Sequence, residues 1–173
     1  YKSGAISDDV LFVGFKDGKM YLLPLEVKTG ISYDKSKAIK QALELGRYLG
    51  KELLSGKTLS NKLYRSLFVR QVLMQIDKYE LYSVYPVGYF DDFLSQKEEW
   101  LVGDYDIGQF ENYAKGFVVA NLEGDKCLET TISEVDGINV LEVPSSFIAK
   151  TIKIPLTNLL ENTAASAIAN VPE

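Results

Sequence analysis

Two acidic residues and a lysine near the N-terminus are spaced so that they could carry out metal-dependent chemistry. Asp9 begins one apolar run, and Glu26-Val27-Lys28 closes the next. Side chains alternate faces along a strand, so Glu26 and Lys28 share one face while Val27 points to the other. A Glu-x-Lys tripeptide alone indicates little, because it recurs by chance about once in a couple of hundred residues. Its meaning depends on which residue lies opposite it.

A turn signal between the two runs predicts that partner. Asp17-Gly18 favours a two-residue hairpin loop, in which the numbers of paired residues sum to 35. Asp9 then lies opposite Glu26, with β-carbons roughly 4.5–5.5 Å apart. Two carboxylates this close repel each other unless a cation lies between them, so we expect a Mg²⁺ site with Lys28 nearby. A three-residue bulged loop would bring Asp8 there instead.

The alternative for these three charges is a cluster of ion pairs on the protein surface, which would contribute little stability. Against it, the apolar run Leu22-Leu23-Pro24-Leu25 leads directly into the motif and predicts a strand that is buried on both faces. Charges at the end of such a strand are expected at a sheet edge that faces a cleft.

The absence of histidine excludes several kinds of catalytic site. The chain can form no Ser-His or Cys-His pair and no histidine-containing zinc site. Any catalysis must use carboxylates, lysines, tyrosines or a hard metal with oxygen ligands. The single cysteine and the lack of an apolar run of roughly 20 residues favour a cytoplasmic location without membrane contact. Because the chain does not begin with methionine, we expect it to be part of a longer protein.

The net charge of −5 hides a strongly basic segment. Residues 28–70 contain ten basic and three acidic residues, whereas the rest of the chain is acidic by twelve charges. A basic segment directly after the candidate site is what binding to a phosphate backbone requires, although a solvated helix face has the same composition. Three lysines early in this segment are the candidate phosphate ligands: Lys35, Lys37 and Lys40.

The remaining patterns predict helices and strands in a mixed order. Asp34 is expected to cap a helix over 34–54, whose apolar stripe includes Gly46, and a second, well-buried helix is expected over 59–77. Strands are predicted over 79–89, 116–122, 127–134 and 138–143. Short helices are expected near Trp100 and after a cap at Ser145 or Ser146, and a last helix is expected over 155–168. The fold class is therefore α/β or α+β on a mixed sheet.

The N-terminal segment resembles a known nuclease family. Ser7-Asp8-Asp9, a hairpin and then Leu25-Glu26-Val27-Lys28-Thr29-Gly30 are similar to the core motif of the PD-(D/E)XK nuclease superfamily, over about residues 4–50. The resemblance implies a restriction-endonuclease-like fold. We expect residues 1–90 to form the nuclease core, including a strand returning over 79–89, and 91–173 to form a β-rich extension that ends in a helix and packs on the same domain.

The resemblance also implies residue roles. Asp9 and Glu26 would bind Mg²⁺ or Mn²⁺ together with the backbone carbonyl of Val27, and Lys28 would position or activate the attacking water. Gln41 stands where RecB-like members place a further catalytic glutamine. Lys37, Gln41 and Tyr48 recur at helical spacing along one edge of the apolar stripe, so Tyr48 joins the lysines as a candidate DNA contact. Leu45 stands where those members place an aromatic residue.

Three functions are consistent with this reading. The first is a metal-dependent DNA endonuclease or exonuclease within a restriction or phage-defence protein that also carries an ATPase or helicase, the latter by analogy with the superfamily. The second is an inactive nuclease-like domain that binds DNA. The third is a docking domain within a larger assembly, which the acidic C-terminal half favours. The intact Asp9, Glu26 and Lys28 favour the first.

Overall fold

The computed structural model describes residues 9–109, 114–124, 127–154 and 158. They form six strands, five α-helices and one π-helical segment. The strands are β1 (Val10–Lys16), β2 (Lys19–Gly30), β3 (Asp106–Ile107), β4 (Gly116–Leu122), β5 (Thr131–Val135) and β6 (Ile138–Pro144). The helices are α1 (Lys35–Arg47), α2 (Leu59–Leu81), α3 (Asp91–Leu94), α4 (Lys97–Val102) and α5 (Ser145–Thr151), and the π-helical segment is Tyr48–Leu53.

The hairpin has the predicted two-residue turn. Asp17 and Gly18 both adopt positive φ, at 51° and 69°, which is the geometry whose twist matches that of the flanking strands. The pairs run from Lys16 with Lys19 to Val10 with Leu25, so paired numbers sum to 35 throughout. The predicted register is therefore confirmed.

All six strands belong to one mixed sheet, which confirms the predicted α+β class with a mixed sheet and helices. The order is β1-β2-β4-β6-β5, with β3 pairing beside the start of β2. β2, β4 and β6 are parallel, whereas β1 and β5 run antiparallel at the two edges. The strands after residue 91 are thus not peripheral to the hairpin, because β4 lies directly against the half of β2 that carries Glu26 and Lys28.

The two long helices pack on the same face of the sheet and form two hydrophobic clusters. α1 covers β2, β4 and β6 through Ala38, Ile39 and Ala42. Gly46 lets it approach closely, since a β-carbon there would lie 3.5 Å from Pro24 Cγ. α2 packs over the hairpin. Its buried apolar residues form the second cluster together with Met20, Phe93, Trp100 and Tyr105.

Three predicted elements are wrong in extent or kind. Residues 79–89 do not form a strand, because Tyr79–Leu81 complete α2 and the following residues form turns. Their rings pack on one another instead, with Tyr85 stacked on Tyr89 at 4.6 Å between centroids. The strand predicted over 127–134 begins only at Thr131. The α-helix predicted to continue to residue 54 changes to π-helical geometry at Tyr48.

The burial of α2 also differs from the expectation. Its buried side chains lie along one side only, and several large apolar residues face solvent. The helix predicted over 155–168 and the alternative ligand Asp8 lie outside the described residues. Within the described part of the chain, no helix combines the length and the hydropathy needed to cross a bilayer.

Substitution of Gly18 by alanine should lower the free energy of unfolding by about 1 kcal/mol, because a β-carbon strains the left-handed conformation of the turn. The matched control is Gly14→Ala in β1, where the added carbon meets only Tyr21 Cβ at 3.9 Å. Urea denaturation of both variants measures the difference. Equal losses would show that the turn geometry does not limit the stability of the hairpin.

Candidate active site

The hairpin brings Asp9 beside the end of β2. Pairing ends at Val10 with Leu25, so the register continued by one residue places Asp9 opposite Glu26. The Oδ2 atom of Asp9 accepts a hydrogen bond from the Val27 backbone N–H at 2.8 Å. That bond fixes the carboxylate against β2 although Asp9 itself is exposed, and its Oδ1 atom accepts no hydrogen bond from the described residues.

Glu26 is the acidic residue that the fold buries most deeply in the described part of the chain. It is 2% exposed, because β4 lies alongside with Val118 in register and α1 covers this face. One carboxylate oxygen, Oε1, pairs with the Lys28 ammonium. The other, Oε2, is buried and has no hydrogen-bond partner among the described residues. An unpartnered charged oxygen in the interior is costly, so a positive ligand or a donor beyond those that the described residues supply would stabilise this atom.

Lys28 links the strand to the helix above it. Its Nζ atom donates to Glu26 Oε1 and to Gln41 Oε1, the latter at 3.3 Å. Gln41 is held there by the packing of α1, whose first turn is capped by Asp34 accepting from the Lys37 N–H at 3.0 Å. Glu26, Lys28 and Gln41 therefore form one connected group, and the hairpin register adds Asp9.

The residues of this group fit a divalent cation in part. Two carboxylates at paired strand positions and an orphaned buried oxygen are a suitable hard-ligand set for Mg²⁺. Over the described ranges, however, no cluster of three or more Asp, Glu, Cys or His side chains is placed to hold a metal ion. A cation here would need backbone oxygen atoms or water to complete its coordination shell. The family resemblance implies that the Val27 carbonyl is one of these ligands.

The basic segment contributes fewer exposed charges than its composition implies. Arg65 is buried and donates to the carbonyl oxygens of Leu54 and Gly103, while Arg47 pairs with Glu44 and Glu52. Arg65 is therefore withdrawn from the surface, whereas Arg47 is exposed but has two carboxylates beside its charge.

The predicted DNA-binding residues lie in different settings. Lys35 is half-buried and donates to Ser133 on β5 at 3.0 Å. Lys37 and Lys40 are exposed on α1, and Lys37 lies one turn before Gln41 on that helix. Tyr48 is half-buried at the start of the π-helical segment. Of these four predicted DNA-binding residues, Lys37 and Lys40 are therefore the two with exposed ammonium groups.

A second polar group on the same sheet face was not predicted. Glu142 on β6 is in register with Ala120 and, through it, with Lys28, which places it two strands or about 10 Å away. It accepts from Tyr33 at 2.8 Å and from Thr131 at 3.3 Å. The sequence does contain a signal for Glu142, because a charged residue stands near the end of an otherwise apolar strand. The same kind of signal pointed to Glu26.

Tyr33 is a permanent hydrogen-bond donor in this second group. Burial raises the pKa of its hydroxyl well above the usual 10, and the hydrogen bond to Glu142 and the charge of that carboxylate raise it further. The hydroxyl therefore stays protonated at physiological pH. Because Tyr33 precedes the α1 cap, this bond fixes the loop from which α1 starts.

The sequence matches no protein-family model, and no curated protein or solved structure is significantly similar to it.

The orphaned oxygen of Glu26 predicts cation binding that depends on both carboxylates. Glu26→Gln and Asp9→Asn should each weaken Mn²⁺ binding at least about tenfold, since each removes a charged oxygen ligand. Isothermal titration calorimetry measures the affinity. The control is Asp17→Asn, an exposed acid in the turn at the far end of the hairpin. Unchanged affinity in both site variants would show that the cation does not bind at this site.

Proposed function

We propose that this chain is a divalent-metal-dependent nuclease domain that hydrolyses phosphodiester bonds in DNA. The observation that carries the proposal is the buried Glu26 carboxylate, with one oxygen paired to Lys28 and the other unpartnered by any residue that the structure describes. A buried ion pair stabilises a protein best when both carboxylate oxygens have partners, because desolvation of the charge must be offset. An oxygen kept for a cation accounts for the arrangement.

The proposed roles follow from the contacts. Asp9 and Glu26 would hold Mg²⁺ or Mn²⁺, which when bound supplies Lewis-acid stabilisation of the charge that develops on the phosphate. Lys28 would orient the attacking water with its ammonium group. Gln41 accepts from that ammonium at 3.3 Å and so limits its movement. Positioning of this kind contributes to rate because the reacting atoms must meet at close to bonding distance.

The DNA backbone would lie along the exposed side of α1. Lys37 and Lys40 present exposed ammonium groups there, on the helix that carries Gln41. Lysine contacts of this type are independent of sequence, because phosphates carry no base information. A cytoplasmic restriction or phage-defence protein with an attached ATPase or helicase would suit such a domain, and this wider setting rests on the family resemblance alone.

Lys28→Arg should abolish cleavage while keeping the chain folded and bound to DNA. The guanidinium retains the positive charge beside buried Glu26, but a planar fork cannot replace a compact ammonium aimed at water. We expect a loss of at least about 100-fold in the single-turnover rate. The measurement uses labelled duplex, single-stranded and branched DNA in Mg²⁺, with binding measured in Ca²⁺.

The control for this experiment is Lys97→Arg on α4, which lies outside the site and should cut as wild type does. If the wild-type chain cuts none of the substrates but binds DNA, the domain is a binding module. If Lys28→Arg cuts normally, Lys28 is not the catalytic lysine.

Charge reversal of Lys37 and Lys40 should weaken binding to all DNA sequences alike. Each lost phosphate contact should reduce the slope of log affinity against log salt by about one unit, because fewer counterions are released. Fluorescence anisotropy over a salt series measures the slope. Lys150→Glu on α5 is the control. An unchanged slope in the Lys37→Glu/Lys40→Glu variant would assign both lysines to a solvated helix face.

A further inference from the structure

The outward side of α2 carries a stripe of large apolar side chains that no described residue covers. Leu63, Leu67, Met74 and Leu81 are 58%, 48%, 60% and 78% exposed. They lie opposite the buried side of the helix, which is formed by Arg65, Val69, Leu73 and Ile76. Apolar area concentrated on one helix face is typical of an interaction surface rather than of scattered surface residues.

The stripe has the spacing of a coiled-coil seam. Together with two charged residues, Arg70 and Asp77, the apolar positions alternate steps of four and three residues from Leu63 to Leu81. This is a heptad pattern, which keeps one face of a helix against another helix over its length. The pattern is also symmetric about residue 72, so it reads the same from either end.

That symmetry selects an antiparallel second copy as the occupant. In an antiparallel pair centred on residue 72, Leu63 lies opposite Leu81, Leu67 opposite Asp77, and Arg70 opposite Met74. Arg70 is then only three residues, or about 4.5 Å along the axis, from Asp77 of the second copy. The twofold axis repeats this contact, so the interface contains two such charge pairs and is self-complementary.

The two charges are available for this contact. Arg70 and Asp77 are exposed, and neither forms a salt bridge with any described residue. They lie seven residues apart on one helix, about 10.5 Å, which is too far for them to pair within the chain. A parallel pair would place Arg70 against Arg70 and Asp77 against Asp77, and like charges at facing core positions are destabilising.

The flanking positions agree with the antiparallel arrangement. In that register Tyr64 lies beside Lys78 of the second copy, and Gln71 beside its own symmetry mate, each offset by about 3 Å along the axis. An ammonium group beside an aromatic ring and an amide beside an amide are both favourable contacts. No like charges are therefore opposed along this edge of the seam.

We propose that the outward face of α2 is a self-association surface, on which two copies of this chain pair as antiparallel helices. Leu63, Leu67, Met74 and Leu81 supply the apolar contact, and Arg70 with Asp77 sets the orientation. The surface is separate from the Glu26 site, so a test of self-association does not depend on whether the chain is a nuclease.

Complementary charge variants test this proposal. Arg70→Asp makes both seam charges negative, and Asp77→Arg makes both positive, so each variant alone should self-associate at least about tenfold more weakly than wild type. An equimolar mixture should restore dimers, because negative seams then face positive ones. Sedimentation velocity up to about 300 µM chain measures the masses, a range in which one helix pair of small area is expected to associate.

Two further measurements separate the possible outcomes. Lys97→Asp and Glu98→Arg, exposed on α4, are the charge controls and should dimerise as wild type. In a Cys127→Ser background, oxidation should cross-link Leu63→Cys chains to Leu81→Cys chains but not to themselves. A wild-type monomer at the highest concentration, or dimers unaffected by either reversal, would overturn the proposal.

Discussion

The burial of one carboxylate, that of Glu26, constrains most of what surrounds it. A charged oxygen in the protein interior is tolerated only when opposite charge or hydrogen-bond donors reach it. Lys28 reaches it from the same strand face, and Gln41 limits the movement of Lys28 from the helix above. The close approach of α1 to the sheet at Gly46 brings Gln41 within reach of Lys28, and the hairpin register brings Asp9 alongside Glu26.

The parts of the site that local sequence determines were predictable. The Asp17-Gly18 turn fixes the pairing of residues on either side of it, so Asp9 and Glu26 could be placed opposite each other from numbering alone. The Asp34 cap was predictable for the same reason, since its partner is three residues away. Whether those residues bind metal or act on DNA stays a prediction, because local geometry does not determine reactivity.

Features that depend on distant residues could not be read from the sequence. The burial of Glu26 comes from β4, some ninety residues later, and nothing local indicates that partner. The tyrosines of 79–89 alternate as strand residues do, but their rings find partners in one another, as Tyr85 and Tyr89 show. Counting basic residues likewise overestimated the charged surface, because Arg65 donates inside the protein to backbone carbonyls.

The order of the strands has a consequence for how the chain folds. β1 and β2 are joined by a two-residue turn and can pair early, whereas β2 and β4 must close a loop of about ninety residues. The hairpin can therefore align Asp9 and Glu26 while both carboxylates are still hydrated. Dehydration of Glu26 is delayed until β4 docks, so its electrostatic cost falls on a late step of folding. Changes at Glu26 should accordingly alter the rate of unfolding more than the rate of folding.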